Sequence, residues 1–222
     1  MNATQLARHL EHAVLAPQAT DQDLVEGVRQ ALRWGVRSLV VKPCHVAAAA
    51  RQLAHSGVKT VAVVGFPHGG QTEAIKAAET RQAVAQGADE IDMVINIGVL
   101  RERQTGAVFS EIRSVVDAAE GRPVKVIIET AYLTDAEKRL ACRLVARAGA
   151  AYVKTSTGFA SKGATAADVA LMRRILPRSV GIKAAGGIKT YIDALALLRA
   201  GADLLGTSHI EAILRDAGSV AA

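Results

Sequence analysis

The chain has 222 residues, of which 50% are hydrophobic and only 3% aromatic, so a large core must be built from Val, Ile, Leu and Ala. The formal net charge is +6, yet the 27 basic residues are scattered and do not interleave with aromatic ones. We therefore do not expect a nucleic-acid partner. No apolar run is long enough to span a bilayer, and the N-terminus lacks the apolar stretch of a signal peptide. We therefore expect neither a membrane-spanning segment nor export of the protein.

The two cysteines, Cys44 and Cys142, belong to no Cys-x-x-Cys pair. Lone thiols are typical of reduced intracellular proteins, so we expect a cytoplasmic location. The six histidines show no metal-ligand spacing and join no carboxylate cluster. The sequence therefore predicts no metal site.

A glycine recurs at the end of each predicted helix, and a strand pattern follows it at once. Glycine just past a helix end readily adopts the left-handed conformation that stops the helix. These glycines are Gly35, Gly57, Gly87, Gly121, Gly149 and Gly201. Their spacing, roughly 22–34 residues with one double interval, is typical of repeated strand–helix units.

In chain order, we predict eight strands, near residues 12–15, 38–42, 59–65, 90–97, 124–129, 152–157, 180–185 and 203–207. Apolar residues mark the buried faces of two helices, at Leu24, Val25, Val28 and Leu32 and at Val169, Met172, Ile175 and Leu176. Two residue pairs resemble capping boxes and are predicted to begin helices: Thr134 with Glu137, and Thr165 with Asp168.

Eight strand–helix units without a linker predict an α/β fold, a single-domain (β/α)₈ TIM barrel over residues 1–222 with a short N-terminal helix. A doubly wound open sheet is the alternative. It is less favoured because no strand is followed by a Gly-x-Gly-x-x-Gly turn.

Strand alternation predicts which polar residues face the interior of such a barrel. In residues 91–97 the odd positions form one apolar face, so Asp92 and Asn96 are predicted to point inward. The same alternation turns Lys154 and Lys183 inward on neighbouring strands. Asp92, Lys154 and Lys183 should therefore converge.

Two buried lysines with one carboxylate leave an excess positive charge, which is costly unless one lysine gives up its proton. A neutral amine is a nucleophile that forms imines with carbonyl compounds. The alternative is a purely structural ion pair. Lys125 and Glu129 are also predicted to face inward, and we interpret them as such a structural pair.

Glycines and small polar residues follow the last three strands. Backbone N–H groups at these positions of a barrel can approach a phosphate group. The predicted phosphate-binding residues are Gly158, Gly186, Gly187, Gly206 and Ser208. A short helix predicted in HIEAILRDAG, residues 209–218, would add a favourable dipole.

Six segments together resemble the 2-deoxyribose-5-phosphate aldolase family over nearly the whole chain. They are GFPHGGQTEAIKAAET at 65–80, GADEIDMVINIG at 87–98, IIETAYLTDAEK at 127–138, AYVKTSTGF at 151–159, GIKAAGGIKT at 181–190 and GADLLGTS at 201–208. The resemblance implies that Lys154 forms a Schiff base. It also implies that Lys183 lowers the pKa of Lys154 and takes part in proton transfer, and that Asp92 donates and accepts protons.

The resemblance further implies reversible cleavage of 2-deoxy-D-ribose 5-phosphate to D-glyceraldehyde 3-phosphate and acetaldehyde, without metal or cofactor. The chain departs from the family pattern at Leu204 and Lys189, where arginine is usual, and at His209, where serine is usual. Lys189 is still expected to bind the phosphate. We also expect a homo-oligomer.

Two alternatives remain open. One is a related class I aldolase with a different aldehyde or an unphosphorylated sugar as substrate. The other is a non-catalytic barrel that acts as a binding or regulatory protein, which the intact set of Asp92, Lys154 and Lys183 argues against.

Overall fold

The computed structural model describes residues 1–219, so the last three residues of the predicted domain, 220–222, lie outside it. Within the described residues, eight parallel strands form a closed barrel, since the last strand pairs with the first. The strands are β1 (Leu10–Val14), β2 (Ser38–Val41), β3 (Lys59–Val64), β4 (Glu90–Val94), β5 (Val124–Ile127), β6 (Tyr152–Lys154), β7 (Gly181–Ala185) and β8 (Leu204–Thr207). The predicted (β/α)₈ barrel is confirmed.

Helices surround the barrel and connect its strands. They are α1 (Ala3–Ala7), α2 (Asp21–Trp34), α3 (Val46–Leu53), α4 (Glu73–Ala85), α5 (Ile97–Arg101), α6 (Thr105–Ala118), α7 (Asp135–Arg147), α8 (Ala166–Ile175), α9 (Tyr191–Arg199) and α10 (Ile210–Ser219). Short 3₁₀ helices span Pro43–His45 and Thr130–Tyr132. The predicted N-terminal and C-terminal helices are both present. Across residues 1–219 we find no helix with the length and apolar character needed to traverse a bilayer.

The predicted strand over 90–97 is too long. β4 ends at Val94, and the Asn96 side chain then caps α5 by accepting a hydrogen bond from the Val99 backbone N–H at 3.2 Å. The prediction that Asn96 points into the barrel is therefore wrong, because its amide group is used to begin a helix.

The buried face of α2 differs from the predicted one. Leu24 and Val28 are buried as expected, but Val25 and Leu32 are 46% and 43% exposed. The helix instead turns Gly27 toward the sheet, where a Cβ atom would lie only 2.4 Å from a side-chain atom of β1. A small residue thus sets the contact face, which a search for large apolar residues misses.

Both predicted helix caps are present, although one is only half of a capping box. Thr134 and Glu137 at α7 each bond the other's backbone N–H. At α8, Thr165 accepts from the Asp168 N–H at 3.0 Å. The Asp168 carboxylate instead accepts a 2.6 Å bond from Lys138, which joins α8 to α7.

The inner face of the barrel is divided into two halves. The main core lies outside the strands, between sheet and helices. Inside the barrel, β2 and β3 contribute the apolar residues Val40, Val61 and Val63. The other strands that enclose the interior, β1 and β4 to β7, contribute buried charged residues, and these form the candidate active site.

Candidate active site

Lys154 and Lys183 lie side by side on β6 and β7, as a register pair. Both Nζ atoms donate to the same oxygen of Asp92, Oδ2, at 2.7 Å from Lys154 and 2.6 Å from Lys183. Asp92 and Lys183 are fully buried, and Lys154 is 2% exposed. Strand alternation therefore located all three side chains correctly.

The other oxygen of Asp92, Oδ1, accepts a 3.0 Å bond from Lys125 on β5. Lys125 points inward as predicted, but its predicted pairing with Glu129 is wrong. Glu129 lies beyond the end of β5 with a left-handed backbone, φ 52°, so strand alternation no longer applies to it. Its carboxylate instead accepts from the Thr157 backbone N–H at 3.1 Å.

Two further buried carboxylates were not predicted from the sequence, Glu11 on β1 and Glu90 on β4. Glu11 accepts from Lys183 and, at 2.8 Å, from Arg37. Glu90 accepts from Lys125 at 2.7 Å and from Arg37 at 2.6 Å. The signal was present, since Glu90 is two residues before Asp92 on the same strand face. Glu11 directly precedes the residue at which β1 was predicted to begin.

These seven side chains constitute what we term the interior charge cluster: Glu11, Arg37, Glu90, Asp92, Lys125, Lys154 and Lys183. The cluster holds four cationic groups and three carboxylates, counted from the ion pairs that join them. The three residues Asp92, Lys154 and Lys183 were expected to carry an excess of positive charge, and the larger cluster carries such an excess too. Such an excess inside a barrel favours the loss of one proton.

The surroundings of Lys154 favour its neutral form. Burial lowers the pKa of Lys154 to about 8; the nearby Lys183 ammonium acts in the same direction and the Asp92 carboxylate opposes it. For Lys125 burial also favours the neutral form, but three carboxylates outweigh it and raise the pKa of Lys125. For Asp92 burial favours protonation, yet three lysines hold the pKa of this carboxyl well below its usual range.

A cavity of about 680 Å³ opens above these lysines at the C-terminal ends of the strands. Lys154 and Lys183 form part of its wall. So do all the predicted phosphate-binding residues: Gly158, Gly186, Gly187, Lys189, Gly206 and Ser208. The structure thus gathers the predicted reactive amine and the predicted phosphate-binding residues around one space.

Two glycines are required by close contacts: Gly163, which packs against the wall residue Gly186, and Gly206, which is in the wall itself. A Cβ atom at Gly163 would lie 2.1 Å from the carbonyl oxygen of Gly186, so two loops pack backbone to backbone. Gly163 was not predicted, because only glycines directly after strands were considered. A Cβ atom at Gly206 would lie 3.1 Å from Cε of Lys183, so Gly206 also makes room for that lysine.

Two helices begin beside the glycine-rich wall of the cavity, and their N-termini differ. At α9 the Asp193 carboxylate accepts from the backbone N–H groups of Lys189 at 3.2 Å and of Thr190 at 3.0 Å. That N-terminus is therefore already neutralised by its own acidic residue. Ser208 and His209 precede α10, are exposed and line the cavity. The acidic residue in the first turn of α10 is Glu211, which accepts a 2.6 Å bond from Arg215 instead of bonding the backbone N–H groups, so the start of α10 is the better position for an anion.

The three departures from the family pattern lie in different surroundings. Leu204 is buried within β8. Lys189 and His209 are exposed and line the cavity, and His209 Nδ1 lies 3.2 Å from the Ser208 hydroxyl. Two of the three departures can therefore contact a ligand directly.

Metal ligands and thiols do not gather at this site. Within residues 1–219 no group of three or more His, Cys, Asp or Glu side chains is arranged to hold a metal ion. Cys44 is exposed next to the end of β2, and Cys142 is buried in α7, where burial raises the pKa of its thiol to about 12.

Comparison with known proteins agrees with this arrangement. The family described as DeoC/LacD family aldolase matches residues 6–217. The chain is 49% identical over 205 residues to deoxyribose-phosphate aldolase 1 of Bacillus licheniformis, covering 92% of each chain. It is 45% identical over 211 residues to the deoxyribose-phosphate aldolase of Streptococcus sanguinis, covering 95% of this chain and 96% of that one.

A solved structure is also similar over almost the whole chain. The deoxyribose phosphate aldolase of Aeropyrum pernix, described as having a unique tetrameric structure, superimposes with a TM-score of 0.92 at 33% identity. The match covers 99% of this chain and 93% of that one. Since the similarity extends over almost every strand and helix, the chain belongs to the DeoC/LacD aldolase family.

Proposed function

We propose that the protein is a Schiff-base aldolase that reversibly cleaves 2-deoxy-D-ribose 5-phosphate to D-glyceraldehyde 3-phosphate and acetaldehyde in deoxyribonucleotide breakdown. The observation that carries the proposal is the Lys154 amine, which has a pKa of about 8 and faces a cavity. The relatives from Bacillus licheniformis and Streptococcus sanguinis are named deoxyribose-phosphate aldolases, which supports the substrate.

The reaction begins at Lys154. Its neutral Nζ attacks the aldehyde carbon C1 of the open-chain sugar, and the resulting carbinolamine loses water to give a protonated imine. Asp92 and Lys183 lie within hydrogen-bond distance of one another, and Asp92 also contacts Lys154. They supply the proton that leaves with the water.

The imine then draws electrons from the sugar chain. The Asp92–Lys183 pair removes the proton of the C3 hydroxyl, and the C2–C3 bond breaks. Its electron pair forms the C1–C2 double bond of an enamine on Lys154, the π electrons of the imine move to the nitrogen, and the C3 oxygen becomes the aldehyde oxygen of free glyceraldehyde 3-phosphate. Protonation at C2 restores an imine, and one water molecule hydrolyses it to acetaldehyde and the free lysine. The water lost in the first step is thereby returned.

Imine formation can be tested directly. Incubation with acetaldehyde followed by borohydride reduction should leave a stable adduct, which peptide mass mapping should locate on Lys154. An adduct on Lys183 or Lys125 instead would contradict the assignment. Failure to form any adduct would favour the non-catalytic alternative. Acetaldehyde release should also continue in EDTA, and a loss that a divalent ion restores would show that a metal takes part.

The phosphate group is proposed to bind at the glycine-rich wall. The binding residues are Gly158, Gly186, Gly187, Lys189, Gly206 and Ser208, which share the wall with Lys154. Backbone N–H groups and the start of α10 supply most of the recognition, so the changes at Lys189 and His209 need not abolish it.

Comparison of two sugars tests this part of the proposal. Each hydrogen bond to a charged group contributes roughly 1.5–3 kcal/mol, so two or three bonds favour the phosphorylated sugar by about 10²-fold or more in kcat/KM. Equal kcat/KM values for deoxyribose and deoxyribose 5-phosphate would support the alternative, an aldolase for an unphosphorylated substrate.

We also propose that the protein is a cytoplasmic homo-oligomer. The lone thiols Cys44 and Cys142 support the location. The tetrameric description of the Aeropyrum pernix relative supports self-association. Light scattering after size-exclusion chromatography should give a mass of at least two chains at micromolar concentration. The mass of a single chain at that concentration would contradict the proposal.

A further inference from the structure

Lys125 is a third buried lysine in the barrel, and the reaction above does not use it. Its Nζ lies 2.7 Å from Glu90, 3.0 Å from Asp92 and 3.4 Å from Glu11. In the strand register it pairs with Asp92 on one side and with Tyr152 on the other. Tyr152 is two residues before Lys154, so Lys125 lies one layer below the reactive amine.

The two carboxylate oxygens of Asp92 accept hydrogen bonds from different lysines. Oδ1 accepts only from Lys125 among the hydrogen bonds within residues 1–219, whereas Oδ2 accepts from both Lys154 and Lys183. A carboxylate held at one oxygen cannot rotate freely about its last bond. Lys125 thereby keeps Oδ2 directed at the two lysines that border the cavity.

Lys125 is itself fixed from the opposite side. Glu90 accepts from Lys125 and also from Arg37 at 2.6 Å and Lys59 at 3.1 Å. With three carboxylates around it, Lys125 has a raised pKa and stays protonated throughout the working pH range. It is therefore a permanent positive charge beneath the site.

We infer that Lys125 is a positioning residue of the reaction, which orients Asp92 and contributes positive charge that favours the neutral amine of Lys154. The inference rests on the proposed imine role of Lys154. Lys125 acts on Lys154 through Asp92 and through its own charge, and it does not contact the substrate.

The direction in which the pH dependence of activity should shift follows from all the groups that face these lysines. They are Glu11 from β1, Glu90 and Asp92 from β4, Tyr152 from β6 and Lys183 from β7, with Arg37 and Lys59 behind Glu90. Removing the charge of Lys125 takes away a like charge near Lys154 and frees the carboxylates to attract it. Both changes favour the protonated amine, so the activity should require a higher pH.

The decisive variant is Lys125→Met, and Lys76→Met is its matched control. Lys76 is also fully buried, and its Nζ donates to Glu111 at 2.5 Å and to the backbone oxygens of Gly69 and Val94 at 2.7 Å. It lies on α4, outside the interior charge cluster. Both variants remove a buried, paired ammonium group, but only Lys125→Met removes one from the cluster that contains Lys154.

The measurement is the pH dependence of kcat/KM for deoxyribose 5-phosphate cleavage, together with the rate of borohydride trapping with acetaldehyde. In Lys125→Met the acidic limb should move up by about one pH unit, and the rate at pH 7 should fall about tenfold. The adduct should remain on Lys154. Lys76→Met should keep the original profile.

A folded Lys125→Met with an unchanged profile would overturn the inference, as would an equal shift in Lys76→Met. If Lys125→Met does not fold, Glu90→Gln decides, because removing a negative charge should move the limb to lower pH. An unshifted or upward-shifted Glu90→Gln profile would then overturn it. An adduct away from Lys154 in the unmodified protein would contradict the proposed function instead, so the two failures are distinguishable.

Discussion

Replacing Lys183 by Met is the most informative test of how the lysines depend on one another. The two ammonium groups share one Asp92 oxygen, with Lys154 at 2.7 Å and Lys183 at 2.6 Å. The substitution removes a like charge beside Lys154 and keeps an apolar chain of similar length. Asp92 retains Lys125 and Glu11 retains Arg37, so neither carboxylate is left unpaired.

The expected magnitude follows from the pKa of Lys154. With a value of about 8, roughly one molecule in ten carries the neutral amine at pH 7. Burial, the largest cause of the lowered pKa, is unchanged in the variant. We therefore expect the pKa to rise by about one unit, the lower end for a neighbouring charge, and the neutral fraction to fall about tenfold.

The trapping rate and the cleavage rate should separate the two roles of Lys183. Raising the pH to about 9.5 should restore the trapping rate of Lys183→Met, because the nucleophile is then neutral again. The cleavage rate should stay lower by about 10²–10⁴-fold if Lys183 also transfers protons. For trapping with acetaldehyde, which carries no phosphate, Lys189→Met is the control for total charge, because it removes a lysine from the same cavity wall. Identical trapping profiles for Lys183→Met and the unmodified protein would refute the electrostatic reasoning.

Three further changes test other parts of the site. Asp92→Asn should lower kcat by about 10²–10⁴-fold while the adduct stays on Lys154, and a kcat near the original would assign proton transfer elsewhere. Gly163→Ala should lower the melting temperature and raise KM for the phosphorylated sugar, because its Cβ would lie 2.1 Å from the Gly186 oxygen. Gly70→Ala, where no atom lies within 4 Å of the added Cβ, is the control, and equal melting temperatures would contradict the close contact. Folded Lys154 loses its proton at about pH 8 and the unfolded lysine near 10.5. The free energy of unfolding, relative to Lys154→Met, should therefore rise by on the order of 3 kcal/mol between these pH values, and parallel curves would argue against the lowered pKa.

Strand alternation located Asp92, Lys154 and Lys183 because side chains within a strand alternate between its two faces with a fixed period of two. Lys183 and Asp92 each lie in the middle of a strand, and Lys154 is the last residue that still belongs to β6. At such positions the direction of a side chain follows from its neighbours alone. The prediction required no knowledge of how the barrel closes.

The residues that were missed lie where a strand begins or ends, or where distant segments meet. Glu11 is near the start of β1, and Glu129 is beyond the end of β5, where the backbone changes conformation. The sharing of Asp92 by three lysines depends on barrel closure, which a one-dimensional pattern does not contain. Gly163 is explained only by the loop that packs against it.

The interior charge cluster also limits how this barrel can change over evolutionary time. Its members are linked through shared carboxylates, so replacing one of them changes the charge balance that all the others experience away from water. Neutral drift at these positions should therefore proceed by compensated pairs or triplets that preserve the total charge. A descendant in which Lys154 is no longer needed could replace the charged part of its barrel interior by the apolar packing already present at Val40, Val61 and Val63.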